Sequence, residues 1–220
     1  DYKDPETGLP VFSLYSAEGK HLRPALLEQF DILVYDIQDV GARFYTFLST
    51  LYYMVQDCAK AGKRLVVLDR PNPMGGLTVE GGLMQEAYRS FVGCWPLPVR
   101  YGLTAGEFAA MVNEKEALGC DLHIVPCTGW HREMFPAWGK IWQMPSPALP
   151  TFEGTAVYLG NCIFEGTTLS EGRGTAAPFR IVGGPGMDAE RLTRAFAQRK
   201  LPGVVATPVY FTPTASKHQG

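Results

Sequence analysis

DILVYDIQDVGARFYTFLSTLYYMVQDCAKAGKRLVVLD, residues 31–69, decides the fold. It opens on DILVYD (31–36), a near-continuous apolar run ending in an acid, the form of a strand buried in a parallel sheet. Phe44, Phe47, Leu48, Leu51, Val55, Cys58 and Ala59 then recur at helical spacing. Gly62 stands where a helix closes on a left-handed residue, with Lys60 beside the negative end of the dipole. RLVVLD (64–69) is a second apolar run ending in an acid. Strand, helix and strand at this length make a βαβ unit with a right-handed crossover.

Working outward, VFSLY (11–15) reads as a short strand and Pro24–Phe30 as a short helical stretch. Thr104 and Glu107 form a capping box that opens a helix with Phe108, Met111 and Val112 on its core face. DLHIVP (121–126) and VYLG (157–160) read as further strands, and VVATPVYF (204–211) as a final one. Asp188 is placed to cap a helix that turns Leu192, Ala195 and Phe196 inward. The class is α/β, a mostly parallel sheet with an elaborate loop face.

The chain of 220 residues can bury a sizeable core. A hydrophobic fraction of 46%, a charged fraction of 19% and a net charge of −2 exclude disorder. The absence of any Lys/Arg run argues against nucleic acid as a partner. No apolar run approaches the roughly 20 residues that span a bilayer, so no transmembrane segment is expected. DYKDPETGLP at the start lacks Met and PTASKHQG ends without a terminating element, so the chain reads as a piece of a longer protein. The five cysteines lack metal spacing and read as small hydrophobes; the four histidines are scattered, so neither a metal nor a cofactor is expected.

Polar loops rich in Gly and Pro stand at or soon after the apolar runs, where open α/β sheets place their ligands. In DIQDVGARFYT (36–46), Asp36 lies at a strand's carboxyl end. Asp39 either caps the following helix or faces a ligand. Arg43 and Tyr45, read as the first helical turn, either reach a ligand or, for Arg43, pair with Asp36. In DRPNPMGGLTVEGG (69–82), two prolines fix the backbone around Asn72 and orient its amide. Glu80, among glycines, is the best general acid/base candidate, against the alternative of an exposed hairpin glutamate; Asp36, Asp69 and Glu171 are reserves. Arg70 belongs with the binding set. In FEGTTLSEGRGT (164–175), Glu165, Glu171 and Arg173 either bind a carboxylate or hydroxyls, or form local salt bridges. Trp95, Trp130, Trp138 and Trp142, with Tyr88 and Tyr101, lie on irregular stretches suited to sugar faces or to core packing. Neither a nucleophile-elbow serine nor a metal motif supports an esterase or amidase.

DIQDVGARFYT, VLDRPNPMGG followed by VEGG, SFVG, PLPVRYGLTAGEFA, PSPALP and FEGTTLSEGRGT together resemble the bacterial exo-β-N-acetylmuramidases, a family long labelled as of unknown function. The resemblance runs nearly the whole length. It implies a Rossmann-like catalytic domain over 1–150, with helices on both faces of its sheet, and the beginning of a smaller C-terminal α+β domain over 151–220. It implies a glycosidase that removes N-acetylmuramic acid from the non-reducing end of peptidoglycan fragments with two carboxyl groups, in a protein secreted or held in the periplasm. In that family a Pro-Glu-His-Gly motif upstream of TGLP carries a glutamate thought to be catalytic, and this chain begins after it. VEGG stands where VEGP is expected, with the glutamate kept. Glu80 is then one carboxyl of the pair, and Arg43 or Arg173 is the partner of the lactyl carboxylate. The alternative reading is a non-catalytic cell-wall glycan-binding protein.

Overall fold

The computed structural model describes residues 1–15, 19–133 and 142–220. Two compact units divide the chain, residues 1–139 and 140–220. In the first, β1 (Tyr2–Lys3) pairs antiparallel with β2 (Pro10–Val11), so only Val11 of the expected 11–15 strand is in a sheet. Next follow α1 (Pro24–Leu27), β3 (Ile32–Tyr35), α2 (Phe47–Ala61), β4 (Arg64–Leu68), α3 (Ala105–Lys115) and β5 (Asp121–Val125). β3, β4 and β5 form a parallel sheet in that order, as expected for consecutive βαβ units.

Register explains the core. The rows Leu33–Leu65–Leu122 and Tyr35–Val67–Ile124 cross the sheet on one face. They pack against Leu48, Leu51, Val55 and Cys58 of α2 and Phe108, Ala109 and Val112 of α3. α2 and α3 also touch each other, so both lie on this face. On the other face Ile32 and Val34 are 51% and 53% exposed, which corrects the reading of 31–36 as a strand buried on both sides. The run is apolar throughout, yet only alternate residues meet the two helices.

α2 ends on Gly62 in the left-handed conformation (φ 63°), with Lys60 in its last turn, as its sequence requires. It starts later than its apolar pattern suggests. Thr46 is the N-cap residue and makes no side-chain cap, and Arg43, Phe44 and Tyr45 precede the helix. The capping box of α3 is present in full: Thr104 accepts from the Glu107 amide, and Glu107 accepts from the Thr104 amide. Cys58, Cys94 and Cys120 are buried; Cys127 and Cys162 are half-buried.

The second unit holds α4 (Phe152–Asn161), a 3-10 turn over Cys162–Gly166, and α5 (Ala189–Gln198). VYLG lies inside α4 rather than in a strand. Thr151 accepts from the Gly154 amide and starts the helix five residues before the apolar run, a case of the ambiguity that short apolar runs carry. Asp188 caps α5 as expected, through the Arg191 amide. Leu192 and Ala195 are nevertheless exposed and Phe196 is half-buried, so the expected inward face of α5 is not in a core among the described residues. Residues 204–211 form no strand, and Val205 is 90% exposed. No described helix is long and apolar enough to cross a membrane.

Candidate active site

In the first unit the loops leaving β3 and β4 are tied to each other and to α3. Asp36 accepts from Arg70 Nε (2.8 Å) and Nη2 (2.6 Å), so the acids and bases of neighbouring strand ends pair across the sheet. The expected alternative partner, Arg43, is elsewhere: its Nη1 donates to the carbonyls of Leu97 (2.6 Å) and Gly82 (3.1 Å), fastening the VEGG loop to the 97–99 segment. Asp69 has both oxygens engaged. Oδ1 accepts from the amides of Gly106 (2.8 Å) and Arg70 (3.0 Å), and Oδ2 from the Thr104 hydroxyl (2.6 Å). It holds the first turn of α3, where amides favour a carboxylate. Tyr45 is buried, with its ring edge on Phe47 at 4.8 Å, so it does not stand in an open helical turn.

Asp39 does not cap α2. It is buried; Oδ2 accepts from the Gly41 amide (2.8 Å) and from the Tyr101 hydroxyl, and Oδ1 has no partner among the described residues. Burial pushes its carboxyl up to about 6, against the hydrogen bonds from Tyr101, Gly41 and Val40 that pull it down. Burial, with the charge on Asp39, pushes the Tyr101 hydroxyl well above its usual value. A cavity of about 10 Å³, room for a single water, is lined by Gln38, Asp39, Arg70, Asn72, Tyr101 and Thr104.

This carboxyl has a consequence for stability. Its folded value lies above the unfolded one near 3.9, so the folded state binds the proton more tightly. Its contribution is most favourable below about pH 4, is lost as pH rises towards about 6, and leaves a cost of about 3 kcal/mol at neutral pH. Asp39→Asn, which retains an acceptor for Tyr101 and Gly41, is expected to be more stable than the parent at pH 8. That advantage should vanish near pH 4. Urea denaturation at the two pH values checks this, and an advantage that grows on acidification would refute it.

Asn72 is buried and its amide is held as the flanking prolines suggest, but towards its own surroundings: Nδ2 donates to the Leu103 carbonyl (2.8 Å) and Oδ1 accepts from the Met74 amide (2.9 Å). Gly41 allows this loop and the Asp39 loop to touch. It has φ 78°, and a Cβ there would meet Asn72 Oδ1 at 2.3 Å.

Glu80 is neither buried nor a free hairpin tip. Its amide donates to the Arg100 carbonyl (3.1 Å), and the Arg100 amide returns the bond (3.0 Å). The next amide along, that of Val99, bonds Gly81 (3.0 Å). Arg100 Nη1 lies 3.2 Å from Glu80 Oε2, while Nη2 donates to the Met74 carbonyl. The Glu80 side chain is 64% exposed on a backbone fixed at both sides, so a carboxylate is presented to solvent with one oxygen oriented by an arginine. Arg100 was not singled out by sequence reasoning, and Tyr101 was read only as an aromatic for a sugar face or the core, not as the partner of Asp39. Both stand in PLPVRYGLTAGEFA, and their partners lie 20 and 62 residues away.

In the second unit the alternative of local salt bridges is what forms. Arg173 pairs with Glu165 at 2.7 Å and with Glu171 at 3.5 Å, and its guanidinium lies 5.0 Å over the Phe179 ring. Glu171 is buried, and Lys217 Nζ meets it at 3.0 Å. The same ammonium donates to the carbonyls of Phe164 (2.8 Å), Leu169 (2.9 Å) and Glu165 (3.0 Å). Lys217 was likewise not foreseen.

Three of the aromatic platforms serve the fold. Trp95 Nε1 donates to Glu116 (2.8 Å), Trp142 Nε1 donates to the Leu149 carbonyl (3.2 Å), and Arg132 lies over Trp130. Tyr88 is exposed, and Trp138 lies outside the described residues. Among the described residues no cluster of His, Cys, Asp and Glu is placed to hold a metal ion.

Two family models match the chain: exo-β-N-acetylmuramidase NamZ, N-terminal, over residues 1–153, and exo-β-N-acetylmuramidase NamZ, C-terminal, over residues 156–220. The chain is 43% identical over its full length to the peptidoglycan β-N-acetylmuramidase NamZ of Bacillus subtilis (strain 168), of which it covers 53%. Its fold is similar to crystal structures of two DUF1343 family proteins from Bacteroides fragilis NCTC 9343. The first has a TM-score of 0.90 and 38% identity, over 99% of this chain and 58% of that one. The second has a TM-score of 0.76 and 37% identity, over 84% and 51%. The chain therefore spans little more than half the length of these relatives.

Proposed function

Because the chain belongs to the exo-β-N-acetylmuramidase family, we propose that it is part of a glycoside hydrolase that releases N-acetylmuramic acid from the non-reducing ends of peptidoglycan fragments. The observation that carries this reading is Glu80, a solvent-facing carboxylate whose backbone is laddered to Arg100 and whose Oε2 is oriented by it. Glycosidic hydrolysis needs two carboxyl groups about the scissile bond. One protonates the leaving oxygen as the bond to the anomeric carbon breaks; the other activates the water that bonds to that carbon, or attacks it first. Glu80 is assigned one of these roles. The other goes to the glutamate of the family's Pro-Glu-His-Gly motif, since Asp69 is spent on α3 and Asp36 on Arg70. A substrate of the cell wall supports the reading that the protein is secreted or periplasmic.

The test is hydrolysis by the full-length protein of a chromogenic β-glycoside of N-acetylmuramic acid beside the same glycoside of N-acetylglucosamine. Release from the first and not the second is expected. Saturable binding of the muramic glycoside with no chromophore released would overturn the proposal in favour of a glycan-binding protein.

A further inference from the structure

A second cavity in the first unit lies away from the loops just described. It is an open groove of about 500 Å³ lined by Tyr52, Tyr53 and Gln56 of α2, Glu116 at the end of α3, and Arg89 and Ser90 of the intervening loop. α3 begins beside Asp69 at the carboxyl end of β4 and runs back along the sheet. With a rise of about 1.5 Å per residue, Glu116 stands roughly 18 Å from Thr104 along the helix.

The floor of the groove is set in advance. Glu116 accepts from the Tyr52 hydroxyl (2.8 Å), Arg89 Nη2 (3.0 Å) and Trp95 Nε1 (2.8 Å). Burial pushes its carboxyl up, but those hydrogen bonds outweigh burial and hold it below its usual value. Gln56 Nε2 donates to Tyr52 (2.8 Å), and Arg89 is fixed further by the Cys94 carbonyl and by Glu86. The rim is unspent. The hydroxyls of Tyr53 and Ser90 and the side-chain carbonyl of Gln56 make no hydrogen bond among the described residues. The Tyr53 ring is braced by stacking on Phe91, centroids 5.9 Å apart and 11° between planes.

We propose that this groove is a second saccharide site, distinct from the loop face, which takes uncharged N-acetylhexosamine units of a glycan chain. Its volume lies within the roughly 300–1,000 Å³ of small-ligand sites. A tyrosine ring braced by Phe91 and by His21 (centroids 4.4 Å apart), with hydroxyl and amide groups beside it, suits the equatorial hydroxyls and apolar edge of a pyranose. The charges of the lining residues Arg89 and Glu116 cancel, and the guanidinium is already spent on Glu116 and Glu86, so the groove lining offers no spare cation for the carboxylate of muramic acid and suits the uncharged N-acetylglucosamine. The choice of a cell-wall glycan rests on the proposed function; the groove and its chemistry do not.

The test uses the full-length protein and N-acetylglucosamine tetramer, titrated calorimetrically, beside turnover of the chromogenic muramic glycoside. Tyr53→Ala removes the ring and hydroxyl that line the groove and Ser90→Trp, at an exposed loop position, fills the groove. Both are expected to weaken tetramer binding at least about fivefold while turnover stays at the parental rate. Undetectable tetramer binding by the parent, or parental affinity in both variants, would overturn the proposal. So would binding and turnover falling together in variants that melt like the parent. A parent that binds tetramer through this groove yet hydrolyses nothing would leave the second site standing and remove the hydrolase reading.

Discussion

Glu80→Gln is expected to lower turnover of the muramic glycoside by about 10²–10⁴-fold, the usual worth of a positioned acid or base. The substitution is nearly isosteric. A glutamine oxygen still accepts from Arg100, and the two amide bonds between residues 80 and 100 do not involve the side chain. Thermal stability and saccharide affinity should therefore stay near the parent's, and the loss should fall on kcat. Near-parental turnover would remove Glu80 from the chemistry. Loss of kcat together with a collapsed melting transition would show that the side chain serves the fold instead.

The second large effect is on stability. Glu171 is buried, and its charge is compensated chiefly by Lys217 at 3.0 Å, with Arg173 at 3.5 Å already drawn to Glu165. Removing one partner of a buried pair leaves the other charge uncompensated, at a cost of about 3–5 kcal/mol. Lys217→Met also removes a donor from three carbonyls, of which that of Phe164 keeps the Thr167 amide and hydroxyl. Arg173 offsets part of the cost, so a loss of about 3 kcal/mol is expected. Adding Glu171→Gln in the same chain should restore much of it, because no buried charge then remains. Urea denaturation of the parent, the single and the double variant gives the comparison. A single variant as stable as the parent, or a double variant that recovers nothing, would exclude the clamp.

These residues differ in how far their neighbours in sequence reveal them. The βαβ unit is legible because its signals are local: period-3.6 apolar residues, Gly62 after the last turn and apolar runs on either side. Asp188 and the Thr104–Glu107 box are legible for the same reason, since a cap and its target lie within three residues. VYLG misleads because three apolar residues and a glycine fit either element, and Thr151, which settles the matter, lies outside the run. At the site, Glu80 stands out among glycines, yet nothing beside it shows that Arg100 orders it. Asp39 sits where a helix cap would be, but the helix starts at Phe47 and the partner is Tyr101, from a distant strand-like segment. Lys217 is a lone lysine near the end of the chain until the 164–171 loop surrounds its ammonium.

The contact between Gly41 and Asn72 bears on how this sequence can change. Every amino-acid substitution one nucleotide away from a glycine codon introduces at least a Cβ. At position 41 that atom would clash with the Asn72 oxygen at 2.3 Å, far inside van der Waals contact, on a backbone that L-residues rarely adopt. Position 41 thus has no tolerated neighbour in codon space while Asn72 remains. Asn72 cannot shrink without abandoning the Met74 amide and the Leu103 carbonyl. The loops after β3 and β4 are therefore free to diversify elsewhere, but at this one crossing they are bound to a shared history.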